Sequence, residues 1–129
     1  MALATLVSCK ADSSTNPNSV AIDGAYSLKS VNNSPLPFTI QSGTNSITLT
    51  SDNLTLGTNG SWTENGAYRQ TNNGQTSTGT FADGGTWIRA GSSVTLNSST
   101  SGATGYSGTI TNNSGLSLSD GTYTYLFSK

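Results

Sequence analysis

From about residue 20 onward, apolar side chains recur at every second position. Tyr26 and Leu28 alternate with Ser27 and Lys29, Ile47 and Leu49 with Thr48 and Thr50, and Leu54 and Leu56 with Thr55. Val94 and Leu96 flank Thr95, Leu116 and Leu118 flank Ser117, and Tyr123, Tyr125 and Phe127 are interleaved with Thr124 and Leu126. A period of two belongs to the β-strand, whose side chains point to opposite faces in turn; apolar residues set against hydroxyls describe a sheet with one dry and one wet face. No apolar stripe at helical spacing runs for a useful length. Between the runs stand Asp23-Gly24, Asn59-Gly60, Asn73-Gly74, Asp83-Gly84 and Asp120-Gly121, dipeptides that supply the positive φ of tight hairpins. The pattern predicts an all-β domain, an antiparallel meander of about eight to ten strands. Closure into a small up-and-down barrel would remove its exposed edges.

Two places break the alternation. Ile47 and Leu49 are odd-numbered while Leu54 and Leu56 are even, so the inward face must switch near Ser51-Asp52-Asn53, through a bulge or a turn. Asn65-Gly66 has hairpin chemistry, yet the Trp62 to Tyr68 spacing suits one long strand, and a glycine bulge would reconcile the two.

The start of the chain has a different character. Residues 1–9 include the apolar run LATLVSC, residues 10–19 read KADSSTNPNS, which is tether chemistry, and the barrel domain is expected over 20–129. Charged residues make up 9% of the chain and the net charge is −1, so solubility rests on hydroxyls and amides. Five Lys and Arg among six acids form no basic stripe, which argues against nucleic acid as a partner. No apolar run approaches the roughly 18 residues of a membrane-spanning helix. Ten aromatic residues (two Trp, five Tyr, three Phe) and regular alternation argue for a folded chain.

Leu6-Val7-Ser8-Cys9 resembles a bacterial lipobox, which implies cleavage before Cys9 and a diacylglycerol on its thiol; the alternative is an incidental buried cysteine. A wider resemblance covers most of residues 22 to 129. The order GAYSLKSVNNSPLP, ITLTSDNLTLGTNGSWTENGAYRQ, TGTFADGGTWIRAGSSVTL, YSGTITNNSGLSLSD and a closing TYTYLF is similar to short lipocalin-like bacterial envelope proteins. The resemblance implies a lipocalin-like barrel, secreted or lipid-anchored, with an apolar cavity. It assigns no ligand. The expected location is the cell envelope, lipid-anchored and periplasmic or surface-exposed, or outside the cell.

Enzymatic chemistry finds little support. Without histidine the chain lacks the usual general base and metal ligand, and one cysteine cannot build a thiolate zinc site, so no metal and no cofactor are expected. Asp23, Asp83 and Asp120 each precede a glycine and read as turn residues, and Asp52 sits in another turn-like cluster. Glu64 with Asp52 is the one carboxyl pair worth naming for glycoside cleavage, but Glu64 has a simpler role as a rim charge paired with Arg69 or Arg89. Those arginines are candidates to hold an anionic ligand group. Asn-x-Ser/Thr triplets at Asn32, Asn53, Asn59, Asn97 and Asn112 are expected by chance in so polar a chain. The run from Ser98 to Gly105 reads as a flexible loop, or as a lid over a barrel mouth.

Candidate pocket residues are the aromatics in strand register: Tyr26, Trp62, Tyr68, Phe81, Trp87, Tyr106, Tyr123, Tyr125 and Phe127. They either fill a small barrel or line its cavity. Gly66, Gly79 and Gly108 would let the wall bend or a ligand approach the backbone. Two roles follow. One is a non-enzymatic binder of a small apolar ligand, held at the membrane through Cys9. The other is an assembly subunit that self-associates when the N-terminal segment, through Leu3, Leu6 and Val7, adds as a strand to a neighbour's sheet edge.

Overall fold

The computed structural model describes residues 21–112 and 114–129, and within them the chain is all β, with no helix. The expectations placed on residues 1–20, including Leu3, Leu6, Val7 and Cys9, lie outside the described residues. Ten strands form one antiparallel sheet: β1 Gly24–Val31, β2 Ser34–Pro35, β3 Phe38–Ser42, β4 Asn45–Leu56, β5 Ser61–Asn72, β6 Gln75–Ala90, β7 Ser93–Ser98, β8 Tyr106–Asn112, β9 Gly115–Ser119 and β10 Thr124–Ser128. From β4 to β10 each strand pairs with the next, β10 pairs with β1, and β1 pairs with β4. Eight strands therefore close into an up-and-down barrel, and β2 and β3 are extra strands inserted between β1 and β4.

The insertion shapes the upper end, defined here as the end bearing the Asn73-Gly74 turn. One edge of β4 serves two partners in succession. Its first half pairs with β3, Phe38↔Leu49 through Ser42↔Asn45, and its second half with β1, Asn53↔Ser27 through Leu56↔Gly24. Strand β6 pairs with β5 over nearly its whole length but with β7 only from Gly85 to Ala90. As a result β3 and the upper parts of β4, β5 and β6 rise above the closed ring as a four-stranded wall.

The face switch is a bulge. Opposite β5 the register runs Leu49↔Tyr68 and then Ser51↔Ala67, so Thr50 is the extra residue. A bulge residue moves the inward set by one position, here from Ile47 and Leu49 to Asp52, Leu54 and Leu56. Asp52 is thus a strand residue facing the interior, not a turn residue. The expectation at Asn65-Gly66 is corrected as well: β5 crosses it with unbroken register to β6 and no bulge. Asp83-Gly84 forms no hairpin either but lies inside β6, where Asp83 Oδ1 accepts hydrogen bonds from the Gly84 N–H, Ser98 and Thr100. Asp23-Gly24 makes no hairpin, since Gly24, at positive φ, opens β1, whereas Asn59-Gly60, Asn73-Gly74 and Asp120-Gly121 lie in turns as predicted, with Gly60, Asn73, Gly74 and Gly121 at positive φ.

The core fills the closed ring below the wall. Ile22, Tyr26, Leu28, Val31, Leu54, Leu56, Trp62, Val94, Leu96, Leu116, Leu118 and Phe127 are buried there, each contributed by the inward register of its strand or lead-in. The buried polar ends of the aromatics find partners, as apolar surroundings require: Tyr26 donates to the Ile22 carbonyl at 2.5 Å, Trp62 Nε1 to the Asn97 carbonyl at 3.1 Å and Trp87 Nε1 to the Gly57 carbonyl at 3.0 Å. Trp87 thereby closes the lower end under the turn that joins β4 to β5.

The in-strand glycines serve packing and not ligand approach. Phe81 stands directly opposite Gly66 and lays its ring where a Cβ would be; Tyr68 stands opposite Gly79 and does the same. Gly108 lies against the Ser117 carbonyl of β9 so closely that a Cβ would collide with backbone. Gly108→Ala is expected to destabilise the barrel by about 1–3 kcal/mol or more, whereas Gly91→Ala, at φ +63 with open space around it, costs about 1 kcal/mol through its backbone conformation alone. Urea unfolding of the two variants checks the order.

Candidate functional site

The interior of a thin all-β barrel is a poor solvent for charge, yet two carboxyl groups occupy it. Asp52 and Glu64 are 4% and 2% exposed, and both face inward, Asp52 from β4 after the Thr50 bulge and Glu64 from β5 two residues beyond Trp62. Their positions are diagonal across the β4–β5 pair, since Glu64 opposes Leu54 and Asp52 opposes Gly66. They share a hydrogen bond, which requires one of them to keep its proton.

Hydrogen bonding assigns that proton. The Tyr106 hydroxyl donates to Glu64, at 2.8 Å from Oε2 and 3.1 Å from Oε1, so the negative charge is held on Glu64. Burial, the Glu64 charge and the hydrogen bond to Glu64 push Asp52 up to about 9, leaving it neutral at pH 7. Burial also raises Glu64, with the charges of Asp83 and Asp120 adding to the effect, while its hydrogen bonds with Asp52 and Tyr106 oppose it. Tyr106 is raised by its own burial and by the charge and hydrogen bond of Glu64. Asp52 Oδ1 is fully buried and accepts no hydrogen bond from any donor group among the described residues.

Above the pair lies an open cavity of about 330 Å³ between the barrel mouth and the inner face of the four-stranded wall. The wall contributes Ile40, Ile47, Leu49, Tyr68, Gln70 and Phe81; the mouth contributes Asp52, Tyr106 and Tyr125. Ile40 and Ile47 are 42% and 45% exposed although they point inward, because nothing in the described chain covers them. The rings form a connected series across the mouth. Trp62 meets Tyr106 edge-on at 6.0 Å, Tyr106 meets Tyr125 at 5.6 Å, Tyr125 and Tyr123 are tilted at 6.4 Å, and Tyr123 meets Phe38 at 6.0 Å. A larger depression of about 520 Å³ on the outer face of the same strands is lined mainly by small and amide side chains such as Ser51, Asn53 and Asn65, and lacks both an apolar body and a buried polar group.

Two further acids complete the electrostatics of the mouth. Asp120, in the turn between β9 and β10, accepts from the Thr122 and Tyr123 N–H groups and from the Tyr125 hydroxyl at 2.8 Å. Partial burial works against ionisation of Asp83 and Asp120, but the hydrogen bonds each receives outweigh it and hold both below the usual carboxylate range. Asp83 and Asp120 are therefore charged near neutral pH, and beside them the carboxyl pair keeps its proton on Asp52 and its charge on Glu64, where Tyr106 donates.

Of the nine aromatic candidates, Tyr68, Phe81, Tyr106 and Tyr125 line the cavity. Tyr26, Trp62 and Phe127 are buried core, Trp87 closes the lower end, and Tyr123 braces Phe38 beside the cavity. Neither arginine reaches it. Arg69 is exposed in the outward register of β5, and Arg89 is at the lower end, where its Nε donates to the Gly91 carbonyl. The expectation of a rim ion pair at Glu64 is thus overturned: Glu64 is inside, and its partners are Tyr106 and Asp52. The pair is also in hydrogen-bond contact, closer than the roughly 5 Å or more that glycoside cleavage uses. The signal that would have found the pair was present in the sequence. Asp52 stands two residues before Leu54 and Glu64 two after Trp62, which is the inward register in both strands.

No model of a known protein family matches this sequence, and no curated protein is significantly similar to it.

The carboxyl pair sets a pH dependence. The unfolded chain releases the Asp52 proton near pH 4, whereas the fold retains it to about pH 9, so the stability this group contributes is complete below pH 4 and declines as pH rises toward 9. Asp52→Asn keeps a donor to Glu64 without a titrating proton. It is expected to raise stability at pH 8 on the order of 2 kcal/mol and to flatten the decline between pH 5 and 9, measured by urea unfolding across that range.

Proposed function

We propose that this protein is a non-enzymatic binder of a small, largely apolar molecule, carried on a lipocalin-like barrel and held at the bacterial cell envelope through acylation of Cys9. The observation that carries the binding reading is the uncovered apolar cavity: isoleucines that point inward yet remain more than two-fifths exposed, facing a row of tyrosines over a buried polar group. Leaving such a concave surface open to water is unfavourable by about 25 cal/mol for each Å², and a cavity of this type with a few convergent polar groups is the usual form of a small-molecule site. Its volume suits a one- or two-ring compound or a short chain. The lipobox-like Leu6-Val7-Ser8-Cys9 supports the envelope location, and the polar tether that follows would hold the barrel away from the lipid.

The assembly reading retains one specific support. Among the described residues strand β3 pairs with β4 alone, which leaves its other edge unpaired there. That edge is five residues long and follows Pro37 directly, both features that discourage strand addition. The binder is therefore the preferred reading.

The binding reading predicts that the neutral fluorophore N-phenyl-1-naphthylamine binds and brightens. Ile47→Glu should weaken it at least tenfold, while Ile88→Glu, on the outer wall at a residue 63% exposed, leaves it unchanged. Equal affinity in both variants would remove the cavity from consideration. For the anchor, Cys9→Ser is expected to move the protein from the membrane fraction to the soluble fraction of its own cells; retention in the membrane would exclude Cys9 as the attachment point.

A further inference from the structure

The binding proposal leaves the chemistry of the ligand open, and the polar inventory of the cavity narrows it. A ligand group that reaches the floor meets the Asp52 carboxyl, whose buried Oδ1 accepts from no donor group among the described residues. The donors nearby are already engaged: the Tyr106 hydroxyl is directed at Glu64 and the Tyr125 hydroxyl at Asp120. Among the described residues no Lys or Arg lines the cavity; Arg69 faces outward, Arg89 and Lys129 lie toward the lower end, and Lys29 is exposed on the outside of β1. The charges acting on the floor are those of Glu64, Asp83 and Asp120. The site offers acceptors and negative potential, with Gln70 the one lining side chain that carries a free amide donor.

An acid or phosphate head would face like charge, with only two neutral donors, the Gln70 amide and the Tyr68 hydroxyl, to receive it. An alcohol would satisfy Asp52 Oδ1 but gain nothing from the charge. A protonated amine satisfies both, because its N–H groups can donate to Asp52 Oδ1 while its charge lies against Glu64 in surroundings of low dielectric. We propose that the cavity takes cationic amphiphiles, molecules with a ring-sized apolar body and a protonated amine, the ammonium donating to Asp52 Oδ1 beside the Glu64 carboxylate and the body resting on Ile40, Ile47, Leu49 and Phe81. This specificity rests on the binding reading above.

A cation at that position also favours loss of the Asp52 proton. Binding of the amine near pH 8 therefore releases a proton to the buffer, a readout that simple apolar contact would not produce. The released proton comes from the Asp52 carboxyl, and the amine stays protonated throughout.

The test uses the full chain and three compounds with one body, 4-phenylbutylamine, 4-phenylbutanol and 4-phenylbutanoate. Each is titrated directly by calorimetry in two buffers of different ionisation enthalpy and as a competitor of N-phenyl-1-naphthylamine. The expected order is amine, alcohol, carboxylate, with at least tenfold between first and last at pH 7.5, and proton release for the amine alone. In Glu64→Gln the amine should fall to within about twofold of the alcohol. Should that variant not fold, the wild-type head-group series decides by itself. If the fluorophore binds in an Ile47-dependent way but the three heads bind within about twofold, or the carboxylate binds best, the amine specificity is overturned while the binding reading stands. If neither the fluorophore nor any of the three compounds binds, both fall together.

Discussion

Strand β4 has one edge and two partners, and most of the architecture follows from that. A strand edge can hydrogen-bond to one neighbour at each level. Because β3 takes the Asn45 to Leu49 stretch and β1 takes Asn53 to Leu56, the barrel is closed below and open above. The Thr50 bulge sits at the handover. It re-aims the strand so that an apolar wall above and an apolar core below both face inward. Without the bulge, Leu54 and Leu56 would face water and Asp52 would point outward. The same extra residue that preserves the core therefore places a carboxyl group inside it.

The core tolerates the carboxyl pair because it is not asked to hold two charges. Removing an ion from water is unfavourable by several kcal/mol even after relaxation, and like charges side by side would add to that. Sharing a proton leaves one charge, and Tyr106 donates to it. What remains is the unmet oxygen on Asp52, a group whose desolvation typically costs about 1–3 kcal/mol. A structural pair selected for stability alone would be expected to satisfy all four oxygens.

Much of the barrel was legible from alternation and turn residues, since both report local geometry that tertiary packing seldom overrides. The all-β class and the antiparallel order followed from Tyr26, Leu54, Val94, Leu116 and their period-two partners, and the hairpins at Asn59-Gly60, Asn73-Gly74 and Asp120-Gly121 from their turn residues. The mismatch between Leu49 and Leu54 announced a change of face, although only strand pairing could locate it at Thr50. Asp83-Gly84 was misread as a turn, and Asn65-Gly66, where the one long strand holds, was given a bulge it lacks, because turn chemistry is ambiguous inside a long strand. There Gly66 and Gly79 serve as seats for rings, and Asp83 serves as an anchor for Ser98 and Thr100. The site was partly hidden for a related reason. Aspartate among Ser and Asn reads as a turn, and a glutamate reads as surface, unless polar residues are held to the same register test as apolar ones. The connection of β2 and β3 had no signal in the alternation, since it depends on which edge of β4 each strand finds.

The two rings seated on glycines bear on how this cavity can change over generations. Tyr68 and Phe81 supply wall area, and each lies across a backbone that has no side chain of its own. Trimming either ring would expose the glycine beneath and deepen the recess without moving a strand, whereas any side chain added at Gly66 or Gly79 would evict the ring above it. Cavity depth is therefore adjustable by single substitutions at two positions and closed to them at two others. Divergent descendants of this chain would be expected to keep the glycines and vary the rings, so that the depth of the recess drifts while the barrel stays as it is.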